Sequence, residues 1–181
     1  MPAVRARGED WRVTIVDTGE DTMTGGRIKR VGMYLDDEPF CMTYGDGLSN
    51  VNITDLLRFH KQSGKLATLT AVQPLGRFGA LELQNEQVTR FVEKPITENG
   101  WINGGFFVLQ PEVLSLIDGD ETFFELEPLQ RLVAKQQLAA FQHEGFWQPM
   151  DTLREKMQLE SLWDSGKAPW HVWNKPLSKA A

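Results

Sequence analysis

A short stretch near the middle of the chain restricts the fold more than any other. A β-rich run from Pro39 to Tyr44 ends at Gly45-Asp46-Gly47, and a second from Ala67 to Val72 stops at Pro74. Between them, Thr54 to Ser63 carries Leu56, Leu57 and Phe59 among polar residues, and Gly64 follows as a stop signal. Strand, helix and strand in that order predict a parallel pair joined by a right-handed crossover.

The flanking sequence continues the alternation. Val13 to Val16 is a β-branched run ending at Asp17-Thr18-Gly19, and Ile28 to Leu35 is a helix candidate. Ala80 to Gln84 and Val88 to Val92 lie either side of Asn85-Glu86-Gln87 and predict a hairpin. Asn103 to Leu109 reads as a strand, Pro111 to Ile117 and Glu125 to Lys135 as helices, and Leu138 to Trp147 as strand again. Asp151 to Trp163 closes as an amphipathic helix, and the tail from Gly166, with Pro169, Trp170, Trp173 and Pro176, has no regular period. There are no internal repeats. The class is α/β, with a largely parallel sheet and some antiparallel strands.

Composition narrows the function. The 181 residues suit one domain, and a net charge of −6 offers no basic stripe to nucleic acid. An anionic substrate must then meet local positive charge or a metal. The single cysteine, Cys41, excludes a disulfide framework and favours a reducing compartment. Its apolar neighbours predict a small buried side chain in a strand. No apolar run approaches the roughly 20 residues of a membrane span, so no membrane partner is expected. The opening Met1-Pro2-Ala3-Val4-Arg5-Ala6-Arg7-Gly8 lacks the apolar stretch of a signal peptide, and the expected location is cytoplasmic.

In open α/β sheets ligands bind beyond the carboxyl ends of the strands. That rule selects Asp17-Thr18-Gly19, Gly45-Asp46-Gly47, Glu93-Lys94-Pro95 and Gln148-Pro149-Met150-Asp151. Asp46, between two glycines, is either a turn residue or a hard oxygen ligand for Mg2+. Thr24-Gly25-Gly26-Arg27 reads as a second glycine-rich loop. It either frees backbone N–H groups and a forked cation for an anion or base edge, or is a turn before the following helix. Glu93-Lys94 is either a solvated charge pair or a carboxylate for sugar hydroxyls beside an ammonium for a phosphate. His60, His143 and His171 are dispersed, without metal-ligand spacing or a Ser or Cys partner, and receive no catalytic role.

Seven stretches taken together are more specific. They are Val16-Asp17-Thr18-Gly19, Met23-Thr24-Gly25-Gly26-Arg27-Ile28-Lys29-Arg30, Thr43-Tyr44-Gly45-Asp46-Gly47, Gly76-Arg77-Phe78-Gly79-Ala80, Glu93-Lys94-Pro95, Ile102-Asn103-Gly104-Gly105-Phe106-Phe107 and Gly145-Phe146-Trp147-Gln148-Pro149-Met150-Asp151-Thr152. Their order resembles that of the glucose-1-phosphate cytidylyltransferase family, from about Trp11 to Trp173. The resemblance implies a nucleotide-diphospho-sugar transferase-like fold, a mixed, mostly parallel sheet flanked by helices. It implies an enzyme of nucleotide-sugar and O-antigen lipopolysaccharide biosynthesis that makes CDP-glucose and pyrophosphate from CTP and glucose 1-phosphate. Carried over by residue, it makes Asp46 and Asp151 the Mg2+ ligands and catalytic pair, with Gly45, Thr22 and Arg27 on the nucleotide. Glu93, Asn103 and Gly104 would hold the glucose hydroxyls and Lys94 the phosphate. The Trp-rich tail (Trp163, Trp170, Trp173) would serve a homo-oligomer contact in the full-length form or pack on its own domain.

The chain departs from the family at its start. Such enzymes open with a strand and a glycine-rich loop of the Gly-Gly-x-Gly-Thr-Arg type, then a lysine, which hold the triphosphate. Residues 1–10 carry no such pattern and read as an atypical leader, leaving 11–181 as a partial nucleotidyltransferase domain. The expectation is an N-terminally truncated, incomplete catalytic set. The alternatives are a non-catalytic protein that binds sugar phosphate and a nucleotidyltransferase using another base. Uridylyl and thymidylyl members of the wider family carry a different loop at Thr24-Gly25-Gly26-Arg27, which favours cytidine.

Overall fold

The computed structural model describes residues 12–73, 80–84, 87–92 and 100–173. Its principal sheet has four strands, β1 (Phe40–Thr43), β3 (Ala67–Val72), β6 (Ile102–Leu109) and β7 (Leu138–His143), in the order β1-β6-β3-β7. β6 runs antiparallel to both neighbours, with Phe40 opposite Leu109 on one side and Ala67 opposite Leu109 on the other. β7 joins β3 in parallel. The expected strand–helix–strand unit is therefore present in altered form. β1 and β3 point the same way, and α2 (Ile53–Ser63) crosses between them, but β6 is inserted into the gap.

Burial explains the insertion. Phe107, Val108 and Leu109 are buried whichever face they point to, which suits a central strand, whereas β1 alternates covered and exposed positions as an edge strand does. Cys41 falls on an open position of that edge, so the buried cysteine expected from its neighbours is instead exposed. Desolvation still pushes its thiol upward, away from a reactive thiolate. The largely parallel sheet is likewise corrected among the described residues, since only the β3–β7 pairing of the principal sheet is parallel.

Two small antiparallel ladders complete the sheets. β4 (Ala80–Gln84) and β5 (Gln87–Val92) form the expected hairpin. β2 (Gly47–Ser49) pairs with β8 (Trp147–Pro149), because the run expected from Leu138 to Trp147 breaks after His143. Val13 to Val16 belongs to no strand, and Val13 and Ile15 are exposed, with no described strand to pair with.

The helices follow their local signals. Asn52 caps α2 by accepting the Asp55 N–H at 3.2 Å, and Gly64 ends it with φ +61°, a conformation that favours glycine. α3 (Glu127–Ala134) opens with Pro128, and the segment Pro111–Leu116 winds as 3-10 helix instead of α-helix. α4 (Leu153–Asp164) begins with a capping box, in which Thr152 accepts the Glu155 N–H at 3.2 Å and Glu155 accepts the Thr152 N–H at 2.9 Å. α1 (Thr24–Val31) starts four positions before the expected Ile28. No helix among the described residues is long and apolar enough to cross a membrane.

The core joins the sheet to the 111–132 region through Phe107, Leu109, Val113, Ile117, Phe124 and Leu132. Phe107 stacks edge-on with Phe124 at 5.6 Å and with Tyr44 at 5.9 Å between ring centres. Full burial of one such ring stabilises by about 1.5–3 kcal/mol. Beneath α2, His60 is 2% exposed, with Nδ1 2.9 Å from Thr68 Oγ1 and Nε2 3.1 Å from Gln110 Nε2. The Gln110 amide donates, so His60 Nε2 accepts and Nδ1–H donates to Thr68, which requires a neutral ring.

Burial lowers the His60 pKa below its ordinary value. The unfolded chain therefore binds the extra proton first, so His60 contributes stability above about pH 6.5 that is lost as pH falls through that range. Urea unfolding of the chain should give a midpoint that drops between pH 7.5 and 5.5. His60→Gln should flatten that dependence, and an unchanged slope would contradict a neutral, buried His60.

Candidate functional site

The stretch read as a glycine-rich loop, Thr24-Gly25-Gly26-Arg27, is the first turn of α1. The N–H groups of its two glycines are already used, as is that of Met23 just before it. The N–H of Met23 reaches Asp120 O at 2.8 Å, and those of Gly25 and Gly26 reach Thr122 O at 2.9 and 3.4 Å. The glycines are there for contact. A Cβ on Gly26 would lie 2.6 Å from Asp120 Cα, and one on Gly25 2.6 Å from Thr122 O. Lys29 Nζ caps Ile117 O at 2.6 Å, and Arg30 forks onto Asp120 at 2.6 and 2.9 Å. The helix is thus clasped onto residues 117–124. The loop reading fails here because local composition cannot show that a helix packs backbone to backbone on another segment.

Arg27 points the other way. Its Nη1 donates to Thr18 Oγ1 at 2.7 Å and its Nη2 to Glu20 O at 3.0 Å, bracing the segment that leads into the helix. Thr22 in that segment is buried, its methyl against Gly26.

The second half of the site lies where the β2–β8 ladder meets β6. Gly47 is in register with Pro149, and the Met150 N–H donates to Asp46 O at 2.7 Å. Asp46 and Asp151, far apart in sequence, therefore leave the same end of one ladder, and both are exposed. A Cβ on Gly45 would meet nothing within 4 Å, so packing does not demand a glycine there. Among the described residues no three or more His, Cys, Asp or Glu side chains gather as a metal cluster.

β6 supplies the facing wall. Gly105 has φ +79°, its carbonyl accepts the Tyr44 N–H at 3.1 Å, and a Cβ on it would sit 2.7 Å from the Tyr44 ring. Trp147 Nε1 donates to Gly104 O at 2.8 Å, and the Gly105 N–H donates to Asn103 Oδ1 at 2.9 Å. Gly45, Asp46, Asn103, Gly104 and Asp151 are thus tied into one neighbourhood through Tyr44, Met150 and Trp147. Glu93 and Lys94, with the Gly76-Arg77-Phe78-Gly79 stretch, lie outside the described residues.

One carboxylate joins the two halves. Glu125 Oε2 accepts from Thr24 Oγ1 at 2.6 Å, and Oε1 accepts from Tyr44 Oη at 2.7 Å. Asn103 Nδ2 donates to the same Tyr44 oxygen at 3.3 Å. Burial first, then the bond to Glu125, raises the Tyr44 pKa well above the usual phenol, so its proton stays in place. In the sequence Glu125 reads only as the start of a helix. A tyrosine immediately before Gly-Asp-Gly at a strand end was the available signal that a buried acceptor would be needed.

The histidines keep their non-catalytic place. Ser49 Oγ does approach His143 Nε2, at 3.3 Å, a pairing the sequence did not suggest. That hydroxyl donates to Phe146 O at 2.9 Å and accepts the Val51 N–H at 3.1 Å, so it closes the corner before β8. His143 Nε2 lies 3.2 Å from the same Phe146 carbonyl, so the ring belongs to that corner and is not arranged as a general base for a nucleophile.

The clasp gives a test. Alanine in place of glycine in a helix interior ordinarily stabilises by up to about 1 kcal/mol. Gly26→Ala should instead destabilise by about 1–3 kcal/mol, because the obstructing atoms are backbone. Gly119→Ala, where a Cβ would meet nothing within 4 Å, should change stability by less than about 0.5 kcal/mol. Thermal unfolding of both variants measures the contrast.

Comparison with known proteins identifies the family. The nucleotidyl transferase family matches residues 6–163. The chain is 58% identical to a glucose-1-phosphate cytidylyltransferase of Salmonella typhi over 96% of its own length and 68% of that protein's. The corresponding enzyme of Salmonella typhimurium strain LT2 is 57% identical over the same shares. The chain thus spans about two thirds of the length of these relatives. A solved UDP-glucose pyrophosphorylase complexed with UDP-glucose superimposes with a TM-score of 0.59, covering 83% of this chain and 65% of that one, at 14% identity. That likeness concerns the fold. The chain belongs to the nucleotidyl transferase family, as a relative of its glucose-1-phosphate cytidylyltransferases.

Proposed function

We propose that this chain supplies the metal and sugar-phosphate side of a glucose-1-phosphate cytidylyltransferase, which joins CTP and glucose 1-phosphate into CDP-glucose with release of pyrophosphate. The observation that carries the reading is the convergence of Asp46 and Asp151 on one end of the β2–β8 ladder, next to the open space at Gly45. Both are hard oxygen donors, and Mg2+ ordinarily takes one or two protein carboxylates with phosphate and water oxygens, so the donor set fits. When bound, the ion would offset phosphate charge and orient the reacting groups.

The remaining roles belong to the chain. A phosphate oxygen of the sugar phosphate attacks the α-phosphorus of CTP, the bond to the β-phosphate oxygen breaks, and pyrophosphate leaves with that electron pair. This displacement needs alignment and charge neutralisation more than a protein nucleophile, which suits a site without an activated Ser, Cys or His. Gly45 lets the nucleotide approach the backbone. Thr22 and Arg27 form the nucleotide side, with Arg27 also bracing residues 18–20. Glu93, Asn103 and Gly104 hold the glucose hydroxyls, and Lys94 holds the sugar phosphate.

The test separates binding from turnover. Glucose 1-phosphate and CTP with Mg2+ are titrated into the chain while tryptophan fluorescence is followed, since Trp147 lies in the site. CDP-glucose formation is then assayed with the third of the Salmonella typhi relative that this chain does not cover supplied in trans. Binding and complemented turnover are expected, with Asp46→Asn and Asp151→Asn each lowering turnover by a hundredfold or more at unchanged circular dichroism, on the order of 3 kcal/mol. Near-normal turnover in either variant would reject the metal assignment, and absence of sugar-phosphate binding would reject the reading.

A further inference from the structure

Proton counting around Glu125 fixes a side chain on the sugar side of the site. Both oxygens of this carboxylate accept hydroxyl protons, from Thr24 at 2.6 Å and from Tyr44 at 2.7 Å, the short distances of O–H donors to a charged acceptor. A tyrosine has one hydroxyl proton. With that proton given to Glu125, Tyr44 Oη can only accept, and the group facing it from Asn103 must be the amide nitrogen, at 3.3 Å. The Gly105 N–H is a donor in any protonation state, so the Asn103 group it meets at 2.9 Å must be the amide oxygen. Turning the amide over would set donor against donor at Gly105 and leave the Tyr44 oxygen without its donor. Asn103 is therefore held in one of its two orientations.

That orientation has a chemical consequence. The amide of asparagine offers two N–H donors and two acceptor lone pairs, of which these contacts use one each. One N–H and one lone pair remain for another partner. A sugar hydroxyl, which donates and accepts at once, complements that pair, and an epimer with the hydroxyl on the other face does not reach it. Tyr44→Phe or Glu125→Gln removes the hold on the amide nitrogen while keeping the volume, leaving the Gly105 N–H as the one remaining tie on Asn103.

We propose that Glu125 and Tyr44 are positioning residues that orient Asn103, and that discrimination among hexose 1-phosphates depends on them. The proposal rests on the assignment of Asn103 to the sugar under the proposed function. Glu125 also holds the first turn of α1 through Thr24, and the Thr24 oxygen accepts the Phe124 N–H at 2.9 Å. The same carboxylate thereby ties the segment assigned to the nucleotide to the one assigned to the sugar.

The experiment measures the affinity of the full chain for glucose 1-phosphate, galactose 1-phosphate and mannose 1-phosphate by calorimetry. The unaltered chain should prefer glucose 1-phosphate. In Tyr44→Phe and Glu125→Gln that preference should fall roughly tenfold, the size of one hydrogen bond to a ligand, with the affinity for the other epimers unchanged. A structural role alone would weaken all three sugars alike, and that result overturns the proposal. Asn103→Ala separates the two layers. If it removes the preference while Tyr44→Phe and Glu125→Gln keep it, the positioning role is wrong and the sugar assignment stands. If Asn103→Ala also keeps it, or the unaltered chain shows no preference, the sugar assignment fails and the proposal falls with it. Should Glu125→Gln fold poorly, the near-isosteric Tyr44→Phe decides.

Discussion

The antiparallel pairing of β6 with both β1 and β3 is the constraint from which the rest of the structure follows. Residues 106–109 bring the apolar mass that the sheet buries, and residues 102–105 of the same strand carry the polar groups of the site. Burying one end therefore positions the other. The ladder with β3 shifts register between Leu69 and Ala71, beside the positive φ of Gly105, and this irregularity turns the Gly104 and Gly105 carbonyls to Trp147 and Tyr44. A side chain on Gly105 would collide with the Tyr44 ring, so the glycine sets the distance between β6 and the Gly-Asp-Gly turn.

Around that sheet the polar ties are not of equal weight. Arg30 with Asp120 and Arg131 with Asp118 are forked ion pairs that look strong on paper, yet all four side chains are more than a third exposed to solvent. Arginine neighbours hold both carboxyls below their usual range, but water screens such pairs and they contribute little to stability. The firm attachment of α1 is made by backbone N–H groups on Asp120 and Thr122 and by glycines that let the two main chains touch. Partly buried Glu125, with its two hydroxyl donors, then links that attachment to Tyr44 and the sheet.

Much of this was legible in advance because it depends on local chemistry. Asn52, Gly64 and the Thr152–Glu155 box mark their helix ends through bonds made within a few residues. The hairpin of 80–92 and the strand at 102–109 follow from alternation and β-branched or aromatic runs. The motif order identified the family, and it singled out Asp46 and Asp151, which the fold brings to the same end of the β2–β8 ladder. What local pattern missed were the choices made between distant segments. Cys41 sits in the strand its neighbours suggested, but edge or centre is decided by which strand pairs with it. Thr24-Gly25-Gly26-Arg27 has the composition of a phosphate loop, yet the N–H groups of its glycines are taken by Thr122, nearly a hundred residues later in the chain.

By itself, then, the sequence determined most of the elements and the family, because propensity, capping and motif order are written over short spans. Only the tertiary structure decided that β6 enters between β1 and β3, that the glycines of α1 serve packing, and that Glu125 holds Tyr44 and Thr24 together. The physical reason is common to all three. A strand's neighbours, a glycine's contact and a buried carboxylate's donors are chosen by burial and hydrogen-bond satisfaction across the whole chain, and those conditions exist only once the chain is folded.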